Sequence, residues 1–586
     1  MEMKENYLAS KKTIGLGNIE IAEFVKNHSI YVDKTKAIFD LFHEDFNRFY
    51  ITRPRRFGKT LLISAMQNIL LGRRELFQDC YISSPSARYD WKSSHVIRLD
   101  LSSYGMDADK LELGLLEDLN EMGASFGVEL KRYSSGQAII KLIKTLHESY
   151  RDIPLPINGE VRNADIPQVA ILVDEYDYPL FNLRDTVNQE RTRQVLHDFF
   201  TAIKSVFDKV RFIFMTGVTK FSGLTISSGM NSLEDITFNP KYSSICGFTE
   251  TEIDVNFGSY IGSISTSRSR DGNTGSLSSY EDIFAQIMDW YDGYSWDGRK
   301  FVINPVSLLN FLRSGQFKRY WYETGGPDFL EQAHLKDDDY FKLFRGNIAF
   351  KSEMMSTQVN TMSPLSILLQ TGYLTIDRTS DMGDGSDDKV YLLTIPNREV
   401  RRSYADDYLI PKLFPLASDA DKSGIVKRYI DFANAFRACD AEKTSELMSY
   451  IYADIAHQTT EHTESFYASH LVPALYYING VTISQDSSGG GDADCVVLTL
   501  EGKIFVIEVK YQTYGNGKVR PVPADANDKK LKRLLDNGVR LAFRQIFRRG
   551  YALRFRGRGK EVIAVAVSVA GRIGVKIEFK TIERKP

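Results

Sequence analysis

Cysteine is scarce in this chain. Its four residues, Cys80, Cys246, Cys439 and Cys495, stand far apart and form no CxxC pair. That spacing suggests neither a disulfide framework nor a zinc knuckle, and it suits a reducing cytosol. Net charge is equally slight, at −2 over 586 residues. A chain-wide basic field is therefore excluded, and contact with nucleic acid has to come from a local patch. No uninterrupted apolar run approaches the length that crosses a bilayer, so no membrane partner is expected. The stretch from Met1 to Lys12 is polar and lacks an apolar h-region, so no signal peptide is expected and the expected location is cytoplasmic. No fixed-period repeat is visible.

What remains is the composition of a soluble globular protein, 43% hydrophobic and 26% charged. The length exceeds one ordinary core. Residues 49–52, 96–101, 169–173 and 211–215 are short β-branched or aromatic runs separated by helical patterns. That alternation predicts a parallel α/β sheet. Residues 250–456 read as mostly helical. Within them 262–279 are rich in Ser, Gly, Thr and Arg, which predicts a flexible insertion. A helix over 364–370 and strands over 372–376 and 389–395 predict a winged-helix module, with an Asp/Gly-rich hairpin loop at 381–388. The last stretch predicts a compact α-β-β-β-α-β-β unit, with a helix over 464–477, strands over 481–484, 493–500 and 503–510, a basic helix over 528–549, and strands over 562–570 and 574–579. A Ser-Gly turn is expected at 487–491.

The segment from Ile51 to Thr60 follows a strand and opens a helix, which is the setting a phosphate-binding loop needs. Lys59 is placed to reach the β- and γ-phosphates, and the Thr60 hydroxyl to bind magnesium. Arg53 stands where the first glycine of GxxxxGK[ST] belongs. The apolar strand ending in Asp174-Glu175 supplies the second half of the pattern. Asp174 is placed to hold magnesium through water and Glu175 to polarise the attacking water; the plainer alternative is a strand end capped by solvated carboxylates. Thr216 ends another buried strand, where it acts either as a γ-phosphate sensor or only in a strand-end hydrogen bond.

These segments resemble a family of AAA-ATPase-like proteins widespread in bacteria whose members carry a C-terminal PD-(D/E)XK domain. The likeness rests on Tyr31-Val-Asp-Lys-Thr35, Arg53-Pro-Arg-Arg-Phe-Gly-Lys-Thr60, Asp174-Glu-Tyr-Asp177 and Thr216-Gly-Val-Thr-Lys-Phe-Ser222. Further along it rests on Asp235-Ile-Thr237, Tyr291-Asp-Gly-Tyr294, Asn304-Pro305, Thr371-Gly-Tyr373 and Ile395-Pro-Asn-Arg-Glu-Val400. It implies ATP and Mg2+ (or Mn2+) as cofactors, with Arg55, Arg56, Phe57, Gly58, Lys59, Thr60, Asp174 and Thr216 around the nucleotide. The arginine-rich phosphate loop is the family's own pattern.

Near the C-terminus Asp494 starts one strand, while Glu508 and Lys510 end the next, on one face because they are two residues apart. A turn at Glu501-Gly502 brings Asp494 back towards them. Two carboxylates and an ammonium at one sheet end suit a magnesium- or manganese-activated water, which Lys510 helps to position or deprotonate. The alternative is a cross-strand salt bridge on a solvated face. The arrangement resembles the PD-(D/E)XK core, and that resemblance adds Glu464 as a further metal ligand and Gln545 as a substrate- or water-orienting residue. Between Lys518 and Lys560 there are fourteen Lys/Arg against three Asp. Arg540, Arg544 and Arg548 recur along one helix face, a footprint for phosphate backbone or else a solvated basic face.

The expected fold class is therefore α/β multidomain: a P-loop parallel-sheet ATPase over 1–255, a helical and winged-helix region over 256–410, a helical linker over 411–460 and a PD-(D/E)XK nuclease domain over 461–586. The expected function is an ATP-coupled, metal-dependent nuclease acting on nucleic acid, DNA ahead of RNA, with homo-oligomerisation left open. The alternative is an ATP-switched nucleic-acid binder or signalling ATPase without cleavage.

Overall fold

The computed structural model describes residues 12–105, 107–151, 155–157, 160–162, 169–181, 186–220, 232–270, 279–325, 347–350, 363–381, 389–414, 418–456, 463–478, 482–486, 493–498, 502–512, 529–549, 561–570 and 574–582. The chain divides into two compact units, one of Met1–Gly325 with Ala349–Tyr391, the other of Gly326–Ile348 with Leu392–Pro586. The boundary expected at 255 falls inside the helix Glu250–Arg270.

The first unit is built on a five-stranded parallel sheet. Its strands are β1 (Arg48–Thr52), β2 (His95–Asp100), β3 (Val169–Asp174), β4 (Val210–Gly217) and β5 (Glu234–Asp235), in the order β2-β3-β4-β1-β5. All four pairings are parallel. A parallel sheet is covered on both faces, so its strands are apolar throughout; every residue of β3 is buried. On one face Leu99, Ile171 and Ile213 pack with Leu115, Ile139 and Phe199 from helices. Strands expected from the sequence at 49–52, 96–101, 169–173 and 211–215 are all present. The two-residue β5 has too little pattern to be recognised in the sequence.

Two expectations are corrected. Of the insertion expected at 262–279, residues 262–270 are the last turns of Glu250–Arg270, and 271–278 lie outside the described residues. Ile253, Phe257 and Ile261 anchor that helix in a core, and the hydroxyls of Ser263, Thr266 and Ser267 bond to carbonyls four residues back, so they do not need a loop. The strand expected from 372 begins at Thr375, because Gly372, at φ 93°, caps the preceding helix Pro364–Thr371 in the left-handed region. The loop expected at 381–388 lies, beyond Asp381, outside the described residues, as does the turn at 487–491.

The second unit carries the five-stranded sheet β6 (Thr482–Asp486), β7 (Ala493–Leu498), β8 (Ile504–Gln512), β9 (Val562–Ala570) and β10 (Gly574–Thr581), paired in that order. Only β8 and β9 run parallel. A parallel pair needs a crossover, and the helix Lys529–Arg549 lies between them in sequence. Strand alternation sorts the core. Phe505, Ile507 and Val565 face the helices Asp419–Arg437, Ala441–Ala456 and Glu464–Leu475, while Val506 and Ala564 face Ile546 of Lys529–Arg549. Among the described residues no helix is long and apolar enough to cross a membrane.

His470, on Glu464–Leu475, is buried, and its Nδ1 lies 2.7 Å from the Phe466 carbonyl. Burial lowers its pKa to about 4, although the bond to Phe466 pulls the other way. The unfolded chain, with a histidine pKa of about 6.5, takes up this proton first. The stability that goes with the neutral ring is therefore present above about pH 6.5 and is lost as the pH falls towards 4, by about 3 kcal/mol in all. Thermal unfolding of the wild type and His470→Phe at pH 7.5, 6 and 5 checks this: the variant should lose less stability on acidification. Parallel pH slopes would contradict it.

Candidate functional site

The phosphate loop leaves β1 at Thr52 and enters the helix Lys59–Leu70. Arg53 extends the strand pairing, its amide donating to Gly217 O at 3.0 Å. Its side chain is wholly buried. The guanidinium donates to Thr52 O at 2.8 Å, Thr237 O at 2.9 Å and Tyr242 O at 3.2 Å, and sits 4.0 Å from the Trp296 ring. Burial pulls its pKa down to about 10. The Arg53 that replaces the expected glycine is thus a structural clamp. Phe57 is a second anchor, edge-on to Tyr294 and Trp296 with centroids 4.8 and 5.4 Å away. Its carbonyl accepts the Gly247 amide at 3.1 Å. Between and beyond these anchors Arg56 and Gly58 adopt left-handed backbone, at φ 71° and 90°. Among the described residues the amides of Arg56, Phe57 and Gly58 donate to no protein acceptor. They sit before a helix N-terminus, whose first N–H groups lack intrahelical partners.

The acidic residues meet this loop at the C-terminal end of β3, beside the end of β4. Lys59 is buried, its ammonium 3.2 Å from Arg53 O, 3.3 Å from Pro54 O and 3.2 Å from Glu175 Oε1. Burial raises the Glu175 pKa, and Lys59 opposes the rise. Asp174 Oδ1 accepts the Thr216 hydroxyl and, at 3.0 Å, the Glu175 amide. Its Oδ2 is buried and meets no donor among the described residues. A buried carboxylate oxygen without a donor is unfavourable unless a cation or its water takes it, so Asp174 fits the metal role. The strand-end hydrogen bond of Thr216 is present and orients that carboxylate.

Arg55, Arg56, Phe57, Gly58, Lys59, Thr60 and Glu175 all line one cavity of about 550 Å³. Ile245, Phe248, Val306 and Leu309 line it too. An apolar wall with convergent polar groups at this volume is the usual form of a small-ligand site.

In the second unit Lys510 Nζ lies 2.7 Å from Glu464 Oε1 and 2.8 Å from Glu508 Oε1. The Tyr511 amide donates to Glu464 Oε2 at 3.3 Å. Glu508 is 1% exposed, so this is no solvated surface bridge. Burial works to lower the Lys510 pKa, but hydrogen bonds and charge from Glu464 and Glu508 outweigh it and hold it above its ordinary value. Lys510 thus serves as a hydrogen-bond donor to both carboxylates. Asp494 directly precedes Cys495, the partner of Ile507, and Glu508 directly follows Ile507. The Asp494 side chain lies outside the described residues. Among the described residues no three His, Cys, Asp or Glu gather as a ligand set. Gln545 is half-buried on Lys529–Arg549. Arg540, Arg544 and Arg548 are exposed. Each stands two residues after one of the buried Gly538, Ala542 and Ile546, about 200° round the axis, so the stripe faces solvent and not the sheet.

Residues 15–227 match the model of a family described as predicted AAA-ATPase. The chain is also 27% identical over 567 residues, 95% of its length and 96% of the relative's, to a protein of Azotobacter chroococcum mcd 1 described as "Uncharacterized protein in vnfD 5'region". The match to the AAA-ATPase-like model takes in β1 to β4, the phosphate loop, Asp174 and Thr216.

The last acid of the Asp174-Glu-Tyr-Asp177 motif has a structural part that its sequence context does not reveal. Asp177 is buried and accepts the Val218 amide at 3.0 Å, the Thr219 amide at 2.6 Å and the Thr219 hydroxyl at 2.8 Å. It ties the turn that carries Glu175 to the turn that follows Thr216. Gly217 lies so close that a Cβ there would stand 2.5 Å from Asp177 Oδ1. The only sequence signal is a second acid two residues after Glu175. Asp177→Asn turns an amide N–H2 towards these donors. It is expected to reduce stability by about 2 kcal/mol and to lower ATP turnover more than ATP affinity. Denaturant unfolding and nucleotide titration check this, and an unaltered turnover would show that the tie is irrelevant to the site.

Proposed function

We propose that the chain hydrolyses ATP in its first unit and uses its second to cut nucleic-acid phosphodiester bonds with a divalent metal. Support for the ATP half comes from one juxtaposition, a phosphate loop whose Lys59 pairs with Glu175 on the wall of a cavity of about 550 Å³, with Asp174 next to Glu175 at the strand end, in the stretch that resembles predicted AAA-ATPases. The loop amides and Lys59 would bind the phosphates, with Thr60 and Asp174 holding magnesium. Glu175 would orient water and accept its proton, a role that its raised pKa suits.

Support for the nuclease half comes from Glu464 and the buried Glu508 meeting on Lys510, with Asp494 one step along the neighbouring strand. Glu464, Asp494 and Glu508 would hold Mg2+ or Mn2+, which supplies a water acidic enough to attack and charge to stabilise the phosphate. Lys510 would steady the attacking water or the phosphate oxygen, with Gln545 orienting the substrate. The solvent-facing stripe of Arg540, Arg544 and Arg548 is available to a phosphate backbone, DNA first. The same Lys510 ion pairs also suit a domain that binds without cutting, which keeps the ATP-switched binder as the second reading.

Lys59→Ala should abolish ATP binding. Glu175→Gln should keep binding and lose turnover. Equal ATPase rates in wild type and both variants would sink the ATP assignment. On labelled single- and double-stranded DNA and RNA with Mg2+ or Mn2+, Asp494→Ala or Glu508→Ala should remove metal binding and cleavage together. Lys510→Ala should keep the metal and slow cleavage about 100-fold or more, in the range of losing one preorganised electrostatic group. Arg544→Ala with Arg548→Ala should flatten the salt dependence of binding. Binding without cutting in every metal would leave the switch.

A further inference from the structure

ATP hydrolysis in P-loop enzymes needs a positive charge on the γ-phosphate beyond the loop lysine and magnesium, often an arginine from a second molecule. The cations lining the cavity can be compared one by one. Lys34 is held by Glu252 at 2.7 Å and by Ser244 O at 2.9 Å. Lys59 is held by Glu175 and two loop carbonyls. Arg55 is half-buried and has interactions of its own. Arg56 is different. Among the described residues it has no hydrogen-bond or ion-pair partner, its side chain is exposed, and it lines the same cavity as Lys59, Thr60 and Glu175.

Its backbone points the same way. Arg56 is held at φ 71°, where a non-glycine residue is strained by about 1–3 kcal/mol. Three residues before Lys59, a glycine would serve the turn without that strain. The neighbouring anchors, Arg53 and Phe57, are fully buried, so the turn that presents Arg56 is fixed on both sides. A free guanidinium on a strained, rigidly anchored turn beside the phosphate lysine is built for contact with the ligand and not for packing.

We propose that Arg56 is an internal arginine finger: a catalytic residue that places its guanidinium on the γ-phosphate of ATP bound to the same chain, so that turnover needs no arginine from a second copy. This rests on the ATP assignment above. No bond to Arg56 forms or breaks. Water attacks the γ-phosphorus, its proton passes to Glu175, ADP leaves, and the guanidinium neutralises charge that develops on the phosphoryl oxygens and the β–γ bridge.

Three variants and a mixing experiment test it. Arg56→Gly removes the side chain and relieves the strained turn, so the melting temperature should hold or rise while kcat falls about 1,000-fold. ATP affinity should change by less than about tenfold. Arg56→Lys should restore only part of kcat, because an ammonium lacks the planar fork. Turnover per chain should be independent of protein concentration, and Arg56→Ala mixed with Lys59→Ala should stay inactive. Recovery on mixing would show that the arginine acts between chains, and full turnover by Arg56→Gly would show that Arg56 is dispensable; either overturns the proposal. Wild-type turnover no higher than that of Lys59→Ala would instead bring down the ATP assignment, and this proposal with it.

Discussion

Burying the Arg53 guanidinium removes a permanent cation from water, and that is tolerable only because three backbone carbonyls and the face of Trp296 receive it. Those carbonyls belong to Thr52, Thr237 and Tyr242, so the same charge joins the end of β1 to the segment after β5. The path of the phosphate loop depends on this clamp. With Arg53 fixed inward and Phe57 packed edge-on to Tyr294 and Trp296, the turn between them leaves Arg56 exposed in a left-handed conformation. The helix that follows then starts at Lys59 with its open end towards the cavity.

A second constraint acts on the acidic side. Asp174, Glu175 and Asp177 stand within four positions at the end of a fully buried strand, where unpaired negative charge is unfavourable. Each is answered differently. Thr216 and the Glu175 amide take one oxygen of Asp174, Lys59 faces Glu175, and the Val218 and Thr219 amides take Asp177. The oxygen left over, Asp174 Oδ2, is the one that a metal-bound water suits. Of the carboxylate oxygens buried at this strand end, it alone meets no donor among the described residues.

In the second unit the organising feature is a strand that is apolar except at its end. Val506 and Ile507 hold β8 between layers of helix, and the alternation delivers Glu508 and Lys510 to the same face. The buried carboxylate is stabilised by the ammonium, which shares itself with Glu464 from a different helix. An ion pair so placed is a weak source of stability.

Much of this is legible in the sequence alone. Parallel-sheet strands are apolar runs because both faces are covered, and the loop and the Asp-Glu pair are local patterns, so β1, β3, β4, Lys59 and Asp174 could be read directly. The Glu508–Lys510 pair followed from the two-residue period of a strand. Local pattern failed where a contact distant in sequence decided the outcome. Residues 262–270 look like a linker by composition, yet they continue a helix that Ile253, Phe257 and Ile261 anchor. Arg53 looked like a missing glycine until Thr237, Tyr242 and Trp296 closed over it. Arg540, Arg544 and Arg548 could be placed on one helix face from their spacing, but only the packing of Gly538, Ala542 and Ile546 against the sheet decided that the face is turned to solvent. The sequence by itself determined which elements form and which chemical groups they carry, because strand and helix periods are local. The tertiary structure alone decided which of those groups are buried, which meet, and which remain free for a ligand, because burial and pairing depend on residues far apart in sequence, as Arg53 and Trp296 are, at 243 positions.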